Sequence, residues 1–202
     1  MKKAFSLLLC TVLLVLSSPI TSKAQTTHTV VRGDTLWKIA NKYEVGLSEI
    51  KSANQNIKNY DLIHPGDVIN IPSKDSGVTN FESEVVRLVN AERTKRGLSA
   101  LSHNWQLSRV ARYKSEDMRK NGYFSHNSPT YGTPFQMMKS FGITYRTAGE
   151  NIAKGQNSPA AVVNAWMNSS GHRANILNAS FTEIGVGYVK SGYYWTQMFI
   201  GK

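Results

Sequence analysis

Thr147-Ala148-Gly149-Glu150-Asn151-Ile152-Ala153 places one carboxylate, that of Glu150, in an otherwise uncharged run. Acidic residues are scarce around it, because positions 118–182 contain no other Asp or Glu. Two histidines flank the run in the chain, His126 before it and His172 after it. A carboxylate with two histidines can bind a metal ion, hold a proton network or form a buried hydrogen-bond cluster. These alternatives make the run the first place to look for a functional site.

The first 24 residues have the pattern of a secretory signal peptide. A basic start at Met1-Lys2-Lys3 precedes an apolar run over residues 4–16, and Ser22-Lys23-Ala24 offers small residues for cleavage after Ala24. The apolar run is too short to be a convincing membrane span. Cleavage would remove Cys10, the single cysteine, so the exported chain would depend on ordinary hydrophobic cores and not on disulfides. No later stretch predicts a transmembrane helix.

The charge balance is strongly basic. The chain has 24 Lys and Arg against 13 Asp and Glu, a net charge of +11. Three of these lysines lie in the predicted leader, so the exported chain keeps +8. Nucleic acid is not the expected partner, because no basic run or nucleic-acid motif occurs. A basic exported protein is expected instead to associate with anionic cell-wall polymer.

Residues 28–72 predict a small strand–helix–helix–strand module. A short strand at 29–31 is followed by the turn Gly33-Asp34 and by apolar residues at helical spacing. A second helix is predicted over 47–54. The turn Pro65-Gly66-Asp67 then leads into the strand 68–72.

This module resembles the LysM family. The resemblance rests on 31–40, on Asn54 and on 62–72 at their separation. It implies binding of N-acetylglucosamine-containing glycan, either peptidoglycan or chitin, in a shallow groove between two loops. The implied glycan contacts are Gly33, Asp34, Thr35, Leu62, Ile63 and His64. Four apolar residues are expected in the core instead, namely Leu36, Trp37, Ile39 and Ile69, and the His64 side chain is expected to face solvent.

The predicted fold class is α+β, with a βααβ module and an α-β-α sandwich. The expected segments are a signal peptide at 1–24, a LysM module at 25–73, a linker at 74–79 and a second domain at 80–202. Thr79-x-x-Glu82 predicts a capping box that opens a helix. Asn121-Gly122 is expected to end the next helix, and Thr133-Pro134 and Ser158-Pro159 to begin two more. Strands are predicted at 184–188 and 193–200.

The second domain resembles the CAP superfamily, also called SCP/PR-1-like, over about residues 81–201. The matching motifs, in chain order, are Val89-Asn90-Ala91-Glu92-Arg93, Phe124-Ser125-His126, Gly149-Glu150-Asn151-Ile152, Trp166, Ser170-Gly171-His172-Arg173-Ala174-Asn175-Ile176-Leu177 and Thr196-Gln197. The resemblance implies a helix–sheet–helix sandwich with a cavity over the sheet. Eukaryotic members often carry two histidines and two glutamates there, and some bind divalent metal.

Only half of that tetrad is present in this chain. His126 matches the first histidine and Glu150 the first glutamate, whereas Ser169 and Tyr194 occupy the other two positions. His172 belongs to the bacterial Gly-His-Arg motif and is inferred to point into the same cavity. His126, Glu150 and His172 are therefore the candidate catalytic cluster.

Three kinds of chemistry are open to this cluster. A divalent metal such as zinc would use His126 and His172 as ligands, although the missing pair favours a hydrogen-bonded polar cavity. A Ser-His-Glu arrangement with Ser169 or Ser170 is a weaker alternative, because no nucleophile-elbow pattern occurs.

Three functions follow as hypotheses. The first is a binding protein of the cell wall, envelope or spore coat that grips glycan and presents its second domain to wall or spore-coat proteins. The second is a metal-assisted hydrolase of wall or protein substrates. The third is a small-ligand or lipid carrier that uses the sandwich cavity. The expected location is secreted, at the cell wall or the spore surface.

Overall fold

The computed structural model describes residues 26–73 and 76–202, without the side chains of 76–78. The predicted signal peptide and Cys10 lie outside the described residues. The helices and strands of the described part are, in chain order, β1 (Thr27–Thr29), α1 (Leu36–Lys42), α2 (Leu47–Ala53), β2 (Val68–Asn70), α3 (Ser76–Thr94), β3 (Ser102–His103), α4 (Trp105–Lys120), α5 (Pro134–Ser140), β4 (Thr147–Lys154), α6 (Pro159–Asn168), α7 (Ser170–Ile176), β5 (Glu183–Val189) and β6 (Tyr194–Gly201).

The N-terminal module has the predicted βααβ order. β1 and β2 pair antiparallel, and α1 and α2 connect them. Ile39, Ile50 and Ile69 are buried in its core. Asn54 is fully buried after α2, where its amide exchanges hydrogen bonds with the backbone of Asn70 in β2. That pairing satisfies a buried polar group and fixes α2 against the strand.

The expectation that Trp37 belongs to this core was wrong. Its side chain is 62% exposed, whereas Leu36, Ile39 and Ala40 are buried. Because successive helical residues are rotated by about 100°, the buried stripe of α1 passes through positions 36, 39 and 40. Trp37 therefore points outward. The predicted exposure of His64 is confirmed, since its side chain is 66% exposed.

The C-terminal domain is a helix–sheet–helix sandwich, as predicted. Its four-stranded sheet has the order β3-β5-β6-β4; β3 runs parallel to β5, and the other neighbours are antiparallel. One face of the sheet packs against α3, α6 and α7, around the buried Trp166 and Trp195. The other face packs against α4 and α5. No helix in the described part of the chain is long and apolar enough to cross a membrane.

Two glycines of β5 let α4 lie directly on the sheet. A Cβ atom on Gly185 would come within 2.4 Å of the backbone of Leu107 and Ser108. A Cβ atom on Gly187 would come within 2.1 Å of the backbone of Ala111 and Arg112. The alternation of glycine with apolar residues in β5 therefore marks the face on which the helix backbone approaches the strand most closely.

The predicted capping box does not begin α3. The helix begins at Ser76, so residues 76–79 of the predicted linker are helical. Glu82 is 2% exposed, and its carboxylate accepts hydrogen bonds from the Arg112 guanidinium at 2.6–2.9 Å and from the Tyr188 backbone N–H at 3.0 Å. Glu82, which the sequence pattern assigned to a capping box at the start of the helix, therefore makes tertiary contacts that join α3 to α4 and β5.

The two parts of the chain meet at Arg109 of α4. Its guanidinium donates to both carboxylate oxygens of Glu49 in α2, at 2.8 and 3.0 Å, and to the Ser48 hydroxyl at 2.7 Å. It also lies 5.3 Å from the ring centres of Tyr113 and Phe141. Partial burial would raise the pKa of Glu49, but the bonds from Arg109 and Ser48 lower it below its ordinary value. A bidentate pair of this kind fixes orientation as well as distance.

We expect Gly187→Ala to destabilise the C-terminal domain by about 3 kcal/mol, because the added methyl group would overlap the backbone of α4, which cannot rotate away as a side chain could. The measurement is urea denaturation followed by circular dichroism. Gly171→Ala is the matched control, since a Cβ there meets nothing within 4 Å and alanine suits a helix better than glycine. Equal stabilities of the two variants would contradict the close approach.

Candidate functional site

β4 is an edge strand whose side chains alternate between the two faces of the sheet. Its residues pair with β6, with Glu150 opposite Met198 and Asn151 opposite Gln197. Because successive strand residues point to opposite faces, Glu150 is directed to the α4 side and Asn151 to the α7 side. The opening motif therefore serves two different polar clusters, one on each side of the strand.

Glu150 and His126 form a direct pair. Nδ1 of His126 lies 2.7 Å from Oε1 of Glu150. The Glu150 side chain is 2% exposed, whereas that of His126 is 51% exposed. Burial raises the pKa of the Glu150 carboxyl, and the bond to His126 and the charge of Lys114 act against that rise. The pair thus joins a buried carboxyl to an imidazole at the surface.

The second carboxyl oxygen of Glu150, Oε2, is buried and has no hydrogen-bond partner among the described residues. Leaving a buried polar oxygen unpaired costs about 1–3 kcal/mol. Such atoms are rare in folded proteins and call for an explanation in terms of function or bound solvent. Among the three predicted cluster residues, only Glu150 has a buried side-chain atom without a hydrogen-bond partner in the described part of the chain.

Lys114 is the site residue that the sequence analysis missed. It lies on the buried face of α4 with 0% exposure, and its Nζ donates to the His126 carbonyl at 2.7 Å and to the Tyr123 hydroxyl at 3.3 Å. Burial lowers the pKa of Lys114 below its ordinary value, and the negative charges of Glu150 and Asp117 offset only part of this effect. The available signal was a lysine at a position of the helix otherwise occupied by apolar residues, because a lysine is seldom fully buried without a paired charge.

Asp117 organises the loop that carries His126. Its carboxylate accepts hydrogen bonds from four side chains of that loop, namely Asn121, Tyr123, Ser128 and Thr130. Burial would raise the pKa of Asp117, but the bonds from Ser128, Thr130 and Tyr123 and the charge of Lys114 lower it below its ordinary value of 3.8. The loop is thereby held on α4 with the His126 ring over Glu150.

His172 approaches the cluster from α7. Burial, and to a smaller extent the charge of His126, lower the pKa of its imidazole. Its backbone carbonyl accepts from the Asn151 amide at 3.1 Å, and the same amide donates to the Gln197 side-chain oxygen at 3.0 Å. The predicted catalytic residues therefore gather at one edge of the sheet, with His126 bonded to Glu150 and His172 within electrostatic reach of His126.

The cluster does not fit a zinc centre. Within residues 26–73 and 76–202, no group of three or more His, Cys, Asp or Glu side chains is placed to hold a metal ion. A catalytic zinc site needs three such donors. The predicted ligands His126 and His172 do not form one with Glu150, whose Oε1 is engaged by the His126 ring and whose charge is partly balanced by Lys114. We therefore assign no metal to these residues.

A second candidate site is a groove of about 200 Å³ on the N-terminal module. It lies between the loop after β1 and the segment before β2, as the family resemblance implied. Its lining residues are Asp34, Thr35, Leu36, Trp37, Leu47, Lys51, Tyr60, Asp61 and Ile63.

Three of the six expected glycan contacts, Asp34, Thr35 and Ile63, line this groove. Two of the three also serve the fold. Asp34 accepts from His28 Nε2 at 2.8 Å, and the Thr35 hydroxyl caps α1. Gly33, Leu62 and His64 are not among the lining residues. The exposed Trp37, which the sequence analysis assigned to the core, lines the groove instead.

Comparison with known proteins agrees with this architecture. Residues 86–199 match the family model described as CAP, the cysteine-rich secretory protein family, and residues 28–72 match the LysM domain. The chain is a CAP-family protein. Its CAP domain has no cysteine despite the family's description, and a LysM domain precedes it.

Individual relatives resemble parts of the chain. The uncharacterized protein YkwD of Bacillus subtilis is 64% identical over 130 residues, which cover 64% of this chain and 51% of YkwD. A crystal structure of an extracellular SCP-domain protein from Bacillus anthracis has a TM-score of 0.61 and 34% identity, covering 68% of this chain and 47% of that one. The N-acetylmuramoyl-L-alanine amidase sle1 of Staphylococcus epidermidis is 36% identical over 70 residues, 35% of this chain and 21% of that protein. The chain spans about half the length, or less, of these relatives.

We expect Asp117→Asn to destabilise the CAP domain by about 2–4 kcal/mol, because it weakens four hydrogen bonds and leaves the buried Lys114 with less opposing charge. A carboxyl whose pKa is lower in the folded than in the unfolded state stabilises the fold at pH values above its unfolded pKa. This stabilisation is lost as the pH falls through the folded pKa. The difference in the free energy of unfolding between wild type and Asp117→Asn should therefore be largest near neutral pH and decrease below about pH 3.8.

Urea denaturation across this pH range measures the effect. The control is Glu116→Gln, one residue away on α4, where an exposed pair with Lys120 contributes less than about 1 kcal/mol. A difference from wild type that stays constant down to pH 3 would contradict the role assigned to Asp117.

Proposed function

We propose that this chain is an exported, cell-wall-associated protein that binds N-acetylglucosamine-containing glycan of peptidoglycan through its LysM domain and presents the CAP domain at the wall. The observation that carries the proposal is the groove between Asp34–Trp37 and Tyr60–Ile63 with the exposed indole of Trp37 at its wall. Exposed aromatic faces in a groove with nearby polar groups suit a sugar ring, which has an apolar face and a polar rim.

Charge and family membership support the same location. The chain keeps a net charge of +8 beyond the predicted leader, and attraction to anionic wall polymer raises the local concentration of such a protein at its surface. The LysM match and the similarity to a wall amidase agree with this placement. The predicted leader would direct export of the chain. Binding to purified walls can be compared with binding to purified spores to decide between the two locations.

We expect Trp37→Ala to weaken binding to purified peptidoglycan sacculi about tenfold, equivalent to about 1.4 kcal/mol, because it removes an aromatic surface from the groove. Co-sedimentation with vegetative sacculi and with spore cortex measures the affinity. Val68→Ala is the control, since Val68 is also an exposed apolar residue of the LysM domain at 55% but does not line the groove. Equal loss in both variants would contradict the proposed site.

A second candidate function is proton-transfer chemistry in the CAP domain, as in hydrolysis of wall peptide or glycan. The observation in its favour is the buried carboxyl of Glu150 with one unpaired oxygen, bonded to the exposed imidazole of His126. The bond to Nδ1 leaves the other ring nitrogen of His126 to exchange a proton with a bound ligand. A carboxyl with a raised pKa beside an imidazole is a common arrangement for general acid–base work.

If the CAP domain is a hydrolase, Glu150→Gln should lower turnover of muropeptides by about 100-fold or more while leaving sacculus binding unchanged. Mass spectrometry of digested sacculi measures the products. Glu84→Gln is the matched control, because Glu84 lies on the surface of α3 in an exposed pair with Arg87. Product release by wild type and Glu150→Gln at the same rate would exclude Glu150 from the chemistry, and no release by wild type would leave the CAP domain as a binding unit.

The carrier hypothesis receives less support from the packing. Both faces of the CAP sheet are covered by buried side chains, with Trp166, Trp195 and Phe199 on one face and Met137, Met138 and Met198 on the other. These large side chains occupy the space that an apolar ligand would need inside the sandwich.

A further inference from the structure

A second groove adjoins the glycan groove at the junction of the two domains. It has a volume of about 180 Å³. The LysM domain contributes Trp37 and Leu47 to its wall, and the CAP domain contributes Trp105, Gln106 and Phe141. The groove therefore exists only where the two domains lie against each other.

The two grooves are neighbours that share part of their walls. Trp37 and Leu47 line both of them. The Trp37 side chain is 62% exposed, so its indole presents surface at the boundary between the grooves. A polymer bound in the first groove would reach the second by crossing Trp37.

The lining of the second groove has the chemistry that recognises a sugar. Trp37 and Trp105 provide indole surfaces, and Phe141 adds a partly buried ring. Gln106 is exposed in the first turn of α4 and offers an amide donor and acceptor. Aromatic surfaces pack against the apolar faces of pyranose rings, while amides pair with hydroxyl and acetamido groups.

Arg109 and Glu49 form a direct contact across the junction. Besides its bidentate bond, the guanidinium lies so close to Gly46 that a Cβ there would come within 2.0 Å of Nε. Gly46 precedes α2, and Arg109 lies one turn along α4 from Trp105. This contact therefore joins the two domains beside the groove that Trp37 and Trp105 line.

We propose that the CAP domain supplies a second glycan subsite, so that one N-acetylglucosamine-containing strand occupies the LysM groove and continues over Trp37 to Trp105. This proposal rests on the proposed glycan binding by LysM. Two subsites on one chain act on the same strand at a high effective concentration. The full chain should therefore prefer strands long enough to reach both subsites.

The test measures affinity of the full chain for chito-oligosaccharides of two to three and of six to eight sugars by isothermal titration calorimetry. We expect wild type to bind the long oligomers at least tenfold more tightly than the short ones. Trp105→Ala should remove this preference while leaving affinity for short oligomers within twofold of wild type. That unchanged short-oligomer affinity also shows that the LysM domain is intact.

Three further variants make the test specific. Gln106→Ala should also reduce the length preference. Because Gln106 is exposed, this variant serves as the test if Trp105→Ala fails to fold. Arg109→Ala should also reduce the length preference by releasing the junction. Phe124→Ala is the control, since Phe124 is a 50% exposed aromatic residue of the CAP domain outside the groove, and it should keep the full preference.

The outcomes separate the two proposals. A wild-type chain that binds short and long oligomers equally, or a Trp105→Ala variant that keeps the preference, overturns the second subsite and leaves LysM binding intact. A chain that binds neither oligomers nor sacculi overturns the proposed function and the subsite together.

Discussion

The contact of α4 with β5 is the constraint on which the CAP domain depends. Because Gly185 and Gly187 have no side chains, the backbone of α4 lies directly against the strand. The buried face of the helix then extends across β6 toward the edge strand β4. Lys114 and Asp117 lie one helical turn apart on that face, near the buried side chain of Glu150 in β4. A bulkier strand would lift the helix and separate these groups.

That placement buries three ionisable side chains, Lys114, Asp117 and Glu150, close to one another. The surroundings of the two carboxyl groups shift their pKa values in opposite directions. Asp117 has four side-chain donors and the nearby Lys114, and its pKa is lowered. Glu150 has only His126 on one oxygen, and burial raises its pKa. Environments that push two carboxyl pKa values apart separate a structural acid from one able to exchange protons. Asp117 holds the loop, and Glu150 is the carboxyl on which the proposed proton transfer depends.

The LysM and CAP domains also share surface at Arg109. Arg109 makes a bidentate bond to Glu49 and lies against the rings of Tyr113 and Phe141. Arg109 and Phe141 also line the groove beside Trp37. Trp37 and Leu47 line both this groove and the groove of the LysM domain. The contact between the domains therefore lies beside the proposed glycan site, which is why we propose that both domains bind one strand.

The two-part organisation, the βααβ order, the helix starts at Pro134 and Pro159, and the glycine-alternating strand β5 all followed from the sequence. Capping residues, turn glycines and strand alternation act among near neighbours, so their patterns are legible in the chain. Tertiary structure alone decided that Lys114 donates to the His126 carbonyl, that Glu82 binds Arg112 instead of capping α3, and that Trp37 and Trp105 line one groove. Whether such a side chain is buried, paired or exposed depends on segments far away in the sequence, because only the packed fold brings their atoms within contact distance.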